Sequence, residues 1–263
     1  MFNWKQINRM RVGSIRYGER LFARTLRSAR TELKDKLKNA GTVNDVRNIA
    51  EKYQVNEQQF RKAWDQFYTR TGLIFAKRNY QHLNKKKDIN DIERNNKWTR
   101  ELLKYVEDEC ANLITLTIRN EYKGVQRNAR KAIDLGAKKG WGAERIADEL
   151  IKFQGAMDKY KAMRIARTEV VRASNQGAMI GVKETGIALK KVWLATDDGR
   201  TRDGSESDFN HVDMDNVEVE LEEAFEVSGE KLDYPGDPNG SKGNTINCRC
   251  AVAFEPKSDR FRD

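Results

Sequence analysis

The chain has 263 residues, enough for one large domain or two ordinary ones, with a net charge of +10 and a mean hydropathy of −0.85. Five Trp, eight Tyr and ten Phe supply core material, which argues against wholesale disorder. No stretch approaches the roughly 20 apolar residues that span a bilayer, and the first six residues lack the apolar core of a signal peptide, so a cytoplasmic product with no membrane partner is expected.

All three prolines (Pro235, Pro238 and Pro256) lie near the C-terminus. The proline-free stretch up to about Gly186, rich in Lys, Glu, Gln, Arg, Ala and Leu, predicts helices. Residues 16–37 form the first densely charged run, and Gly41 opens a break with Thr42 or Asn44 as the next N-cap. Residues 46–71 place Ile49, Tyr53, Phe60, Trp64 and Phe67 at near-helical spacings, a stripe that reads as core rather than as a base-stacking platform. Lys85, Lys86, Lys87 and Asp88 read as an exposed turn. Residues 98–132 predict one long helix, with Cys110 inside it as a small buried apolar residue. A glycine-punctuated turn over 135–142 precedes a short helix over 142–150, a second turn at Gln154 and Gly155, and a helix over 158–183 capped by Gly186.

After Gly186 the texture changes. Residues 187–196 predict a strand, followed by an acidic loop to Asp213. Val217 and Val219 alternate with Glu218 and Glu220, as in a half-exposed strand. Residues 234–240 are a dense turn cluster, and 250–254 suit a closing strand. The expected fold class is α+β: a basic, mostly helical N-terminal region (1–141), a small α+β module (142–256) and a polar tail (257–263).

Charge is split along the chain. Residues 1–186 hold 40 Lys and Arg against 22 Asp and Glu, a balance of +18, while residues 187–263 hold 10 against 18, a balance of −8. A basic half can face a polyanion or an acidic protein surface; solvated helices that happen to be rich in Lys and Arg are the plainer reading. Three cysteines (Cys110, Cys248, Cys250) cannot make a disulfide framework and would stay thiols in a reducing compartment.

Three ordered segments carry a family resemblance. The first runs from Arg164 through Arg167, Thr168 and Glu169 to Arg172, Asn175 and Gly177. The second holds Trp193, Asp198, Arg200 and Arg202, then Asn210-His211 and Met214-Asp215-Asn216. The third is Phe225, then Tyr234-Pro235-Gly236-Asp237-Pro238 and Asn247-Cys248-Arg249-Cys250. Together, over residues 142–254, they resemble the phage Mu F-like minor head protein family. The chain departs from the family at 203–209, longer than the usual spacer, and at Asn216, where glycine is usual. The resemblance implies a virion protein inside the head near the portal, assembled in the host cytoplasm, that assists head assembly and DNA packaging or delivery. Its implied partners are the portal protein and the major capsid or scaffolding protein. The alternative is a cytoplasmic, sequence-nonspecific nucleic-acid-binding protein driven by the basic half.

Read physically, Thr168, Arg172, Asn175 and Met179 share one helix face, and Arg167, Val171, Ser174 and Ala178 the next. Small residues there (Ala166, Ala173, Gly177, Gly181) let another backbone approach. Arg167, Glu169 and Arg172 are expected to pair with one another or with the acidic loop, pinning helix to sheet. The acidic loop lacks the ligand spacing of an EF-hand. His211, Cys248 and Cys250 form an incomplete zinc set, because Cys-x-Cys is tighter than the usual spacing. The other reading has both cysteines packed on one strand face while Arg249 turns out to an acid. No cofactor is required, zinc being the one metal this set suits. Serine-nucleophile, cysteine–histidine and phosphate-loop patterns are absent, so no enzyme is expected.

Overall fold

The computed structural model describes residues 2–84, 92–196 and 198–257. The expected turn at Lys85–Asp88, Asp197 and most of the 257–263 tail lie outside the described residues. Helices come first: α1 (Trp4–Ala29), α2 (Thr31–Lys38), α3 (Val43–Glu51), α4 (Glu57–Asn84), α5 (Ile92–Asp108), α6 (Ala111–Lys139) and α7 (Ala143–Lys183). Then come β1 (Leu189–Leu194), β2 (Glu218–Glu220), β3 (Phe225–Val227), β4 (Glu230–Leu232), α8 (Lys242–Thr245) and β5 (Ala251–Pro256). The class is α+β, as the sequence predicts.

Some helix boundaries follow local chemistry and others do not; residues 46–71, for one, are divided between α3 and α4. Thr42 caps α3 in a capping box, accepting from the Asp45 N–H at 3.1 Å while the Asp45 carboxylate accepts from the Thr42 N–H at 2.8 Å. The stretch 98–132, expected as one helix, is broken between α5 and α6 at Glu109 and Cys110. Glu107, Asp108 and Glu109 place negative charge at a helix C-terminus, where the macrodipole disfavours it. The glycine turn starts later than expected, because α6 continues through Gly136 to a Schellman-type stop: Gly140 takes φ +66° and the Trp141 N–H bonds the Gly136 carbonyl. The turn expected at Gln154 and Gly155 is absent, and α7 runs through it. A helical Gly costs about 1 kcal/mol relative to Ala; here tertiary bonds to this turn of helix, described below, outweigh that.

One compact unit comprises Met1–Gly18, Asp65–Cys110 and Arg164–Asp263. Its three-stranded antiparallel sheet has the order β2-β1-β5, with Trp193 opposite Val252 and Leu194 opposite Ala251. β1 is central because it is buried at every position except Lys190, so it reads as a continuous run rather than an alternating one. β3 and β4 add a hairpin that the sequence did not signal. Val192, Trp193, Phe225, Leu232, Val252 and Phe254 lie in its main core. A Cβ added at Gly177 would collide with the Gly72 carbonyl, and one at Gly181 with that of Ala76. The small residues of α7 therefore do admit a second backbone, that of α4.

The other unit comprises Glu19–Trp64 and Ala111–Met163. Leu33, Leu37, Val46, Ala50, Val125, Ala129, Ile146 and Leu150 form its core. Arg30, 1% exposed, donates to the carboxylates of Glu121 and Asp158 and, at 3.2 Å, to the Gln154 carbonyl. Lys161 adds a 3.0 Å bond to Glu121. These bonds hold α7 helical where Gly155 would loosen it. The stretches of the two units interleave along the chain, so they divide it differently from 1–141 and 142–256.

Helix α1 exposes Lys5, Arg9, Arg16, Arg20, Arg24 and Arg27. Their spacings put all six on one side of the helix.

Candidate functional site

The motif residues of α7 meet the C-terminal loops through backbone carbonyls. Arg172 Nε donates to the Gly236 carbonyl at 2.8 Å, and Asn175 Nδ2 to that of Pro235 at 2.6 Å. Asn175 Oδ1 accepts from the Val252 N–H at 3.2 Å, and Thr168 Oγ1 from the Asn247 N–H at 3.4 Å. One helix face thus reads the turn, the segment before β5 and β5 itself. Gly236 takes φ +84°, and a Cβ there would sit 3.1 Å from Val171 Cγ1, so the turn needs glycine for conformation and for space. Asp237 closes the turn, its carboxylate accepting from the Asp233 and Asn239 N–H groups at 2.7 and 2.9 Å, while burial pushes its pKa up.

Behind that face lies a buried ion pair. Arg172 Nη1 bonds Glu169 at 2.8 Å, and the Tyr68 hydroxyl donates to the same carboxylate at 2.6 Å. Burial works against the Arg172 charge, but Glu169 outweighs it and holds the guanidinium firmly protonated. Burial pushes the phenols of Tyr68, Tyr105 and Tyr234 well above their ordinary value, so they stay donors. Tyr234 donates to Tyr105 at 3.1 Å. Arg167 is the exception among the expected partners: it is exposed and takes no part in this network. At its helical position the side chain faces water, where a charge needs no partner.

Arg11, from α1, is 2% exposed and does what Arg167 was expected to do. It donates to Ser174 Oγ at 2.8 Å, Asn175 Oδ1 at 2.9 Å, and the carbonyls of Arg249 and Cys250 at 3.0 and 3.1 Å. Burial lowers its pKa to about 10. Nothing in its spacing marks it, since it is one among 50 Lys and Arg.

His211, Cys248 and Cys250 converge in the interior, 1%, 2% and 2% exposed. His211 Nδ1 lies 3.7 Å from Cys248 Sγ and 3.6 Å from Cys250 Sγ, and the three ligand atoms lie within 4.8 Å of one another. His211 Nε2 bonds Asn244 Oδ1 at 3.0 Å, and Asn244 Nδ2 donates to the Val227 carbonyl at 3.3 Å. The ring of Trp193 packs edge-on against His211 and against Phe225, with centroids 5.6 and 5.3 Å away. The two neighbouring thiols shift each other in opposite directions, Cys250 well below the ordinary thiol value and Cys248 above it. The cysteines precede β5, which begins at Ala251, but burial still alternates, with Cys248 and Cys250 buried and Arg249 half-buried. Arg249 turns out to Asp198 at 2.6 Å. Burial would raise the Asp198 carboxyl, but the Arg200 N–H and the charges of Arg249 and Arg200 outweigh it and hold it low. Cys110 stands apart beside Tyr68, its thiol pushed up to about 12 by burial.

Both departures from the family pattern have local explanations. Asn216 has φ +63°, a left-handed conformation that Asn tolerates better than other non-glycine residues. The long spacer 203–209 is closed at its base by a bridge between Asp203 and Asn210, so its length stays local.

Residues 125–253 match the model of the family described as "Phage Mu protein F like protein". This stretch belongs to the phage Mu F-like family. The match takes in α7, the sheet, the Tyr-Pro-Gly-Asp-Pro turn and the Cys-Arg-Cys segment, and it begins within α6, upstream of residue 142. The chain is also 38% identical over 95 residues to an "NAD(+)--arginine ADP-ribosyltransferase EFV" of Enterococcus faecalis, covering 35% of this chain and 18% of that protein. It is 28% identical over 105 residues to "Uncharacterized protein YqbB" of Bacillus subtilis, covering 39% of this chain and 33% of the relative. The chain thus spans a third or less of each of these relatives. The first overturns the expectation that no enzyme is involved, because a closely similar stretch lies in a protein that bears an enzyme's name. No solved structure matches the chain significantly. Among the described residues no helix is long and apolar enough to cross a membrane.

Proposed function

We propose that the chain is a minor head protein that sits inside the capsid near the portal and assists head assembly and DNA packaging or delivery. The observation that carries this reading is the coincidence of the family match with the polar lock between α7 and the C-terminal loops. Several residues that make the resemblance, Glu169, Arg172 and Asn175 among them, also hold the module together. The portal protein and the major capsid or scaffolding protein are its partners in this reading. Quantitative mass spectrometry of purified particles tests it: a fixed, low copy number supports it, and a chain abundant in the lysate but missing from particles removes it.

Packaged DNA is the further partner, through the basic side of α1. Six exposed cations on one helix face favour a sequence-nonspecific phosphate contact. Binding to duplex DNA should weaken steeply with salt, and replacing Arg16, Arg20 and Arg24 with Ala should reduce the slope by about 0.9 for each phosphate no longer neutralised. A slope unchanged by the triple substitution would remove the helix from the DNA interface. The enzyme name borne by one relative favours a second reading, in which this chain transfers ADP-ribose from NAD+ to an arginine side chain, with nicotinamide as the leaving group and the guanidinium proton lost to solvent. Release of nicotinamide by the purified chain would support it, and no release above a heat-denatured control would dispose of it.

A further inference from the structure

We propose that His211, Cys248 and Cys250 form a metal centre that binds zinc. Three features of the cluster point to a cation rather than to packing alone. The first is distance. Tetrahedral zinc with Zn–S of about 2.3 Å and Zn–N of about 2.1 Å has N···S edges of about 3.6 Å; the two observed separations are 3.7 and 3.6 Å.

The second is the orientation of the imidazole. The Val227 carbonyl accepts from Asn244 Nδ2, which fixes the amide so that Oδ1 faces His211. Nε2 must therefore carry the proton, and Nδ1 presents its lone pair to the sulfurs. A histidine whose far nitrogen is tied to a fixed acceptor is the usual second layer of a metal site. A cation at the centre would bond all three atoms.

The third is charge. Two thiolates and a neutral imidazole around Zn2+ sum to zero, which suits a site buried beside Trp193 and Phe225. Binding releases the thiol protons to solvent and forms two S–Zn bonds and one N–Zn bond. The tight Cys-x-Cys spacing is no obstacle, because Arg249 turns outward to Asp198 while both cysteines are buried against His211. Three protein ligands leave the fourth coordination position open.

The test is zinc content of the full-length chain purified without chelator, together with Co2+ titration of the metal-free chain. The expected result is about one zinc per chain, and Co2+ spectra showing sulfur-to-metal charge transfer with tetrahedral visible bands. Cys248→Ser and Cys250→Ser should abolish both signals, and Cys110→Ser should leave them unchanged. Asn244→Leu, which keeps all three ligands, should weaken Zn2+ binding by about 10- to 100-fold. Should the cysteine variants fail to fold, the wild-type chain still decides: a zinc content near zero after growth with added zinc, or a Co2+ spectrum without sulfur charge transfer, overturns the proposal. So would equal Co2+ affinity in the wild type and Asn244→Leu.

Discussion

Arg167, Glu169 and Arg172 lie within two turns of one helix, yet burial sorts them into different roles. Glu169 and Arg172 are 6% and 2% exposed and bonded to each other, to Tyr68 and to Gly236, whereas Arg167 faces water. Removing one partner of a buried pair leaves the other charge uncompensated, at a cost of about 3–5 kcal/mol. Glu169→Gln should therefore destabilise the protein on that scale in chemical denaturation, and Arg167→Ala should change it by no more than about 0.5 kcal/mol. Equal effects would mean that the ion pair has been misread. The pairing of Glu169 with Arg172 was legible because the two sit three apart on a helix. Arg11 was not, because it comes from more than 150 residues away in sequence and only the fold delivers it.

Elements were legible where a local signal and the tertiary structure agree. The Thr42 cap, the Gly186 stop and the two outer strand patterns are of this kind. Gln154 and Gly155 show the reverse. Their local preference for a turn yields to Arg30, which ties that turn of α7 to Glu121 and Asp158. Burial would raise the Glu121 carboxyl, but the Arg30 and Lys161 charges outweigh it and hold the pKa below its ordinary 4.5. A depressed carboxylate stabilises the fold fully above its unfolded pKa, and that contribution is lost as pH falls through the lower folded value. Helicity of the unit that contains α2, α3 and α6 should thus decline on acidification below about pH 4.5, and Glu121→Gln should blunt this dependence while lowering stability at neutral pH. An unaltered acid profile in the variant would reassign the effect. The small-residue pattern in α7 was equally legible, since Gly177 and Gly181 permit the close approach of α4. Gly177→Ala should cost about 1–3 kcal/mol or more by overpacking that approach; a neutral result in thermal unfolding would show that the helices can separate freely.

At the scale of the whole molecule, the ordered motifs were visible in sequence because each is a local run, but their meeting was not. The Tyr-Pro-Gly-Asp-Pro turn, the Cys-Arg-Cys segment and the α7 face are separated by tens of residues, and backbone carbonyls, which carry no sequence identity, are what Arg172, Asn175 and Arg11 recognise. The interleaving of the two compact units was hidden for a related reason: α1, α4 and α7 each contribute residues to both, so no linker or composition shift marks a boundary. The claim on which the rest stands is that α7 from Arg164 onward, the turn and β5 fold as a single cooperative body. Native-state hydrogen exchange read by mass spectrometry tests it most directly. Peptides covering Arg172, Gly236 and Val252 should open with one common free energy and should fall together in Glu169→Gln. C-terminal peptides that exchange at a much lower free energy than α7, untouched by that substitution, would contradict it.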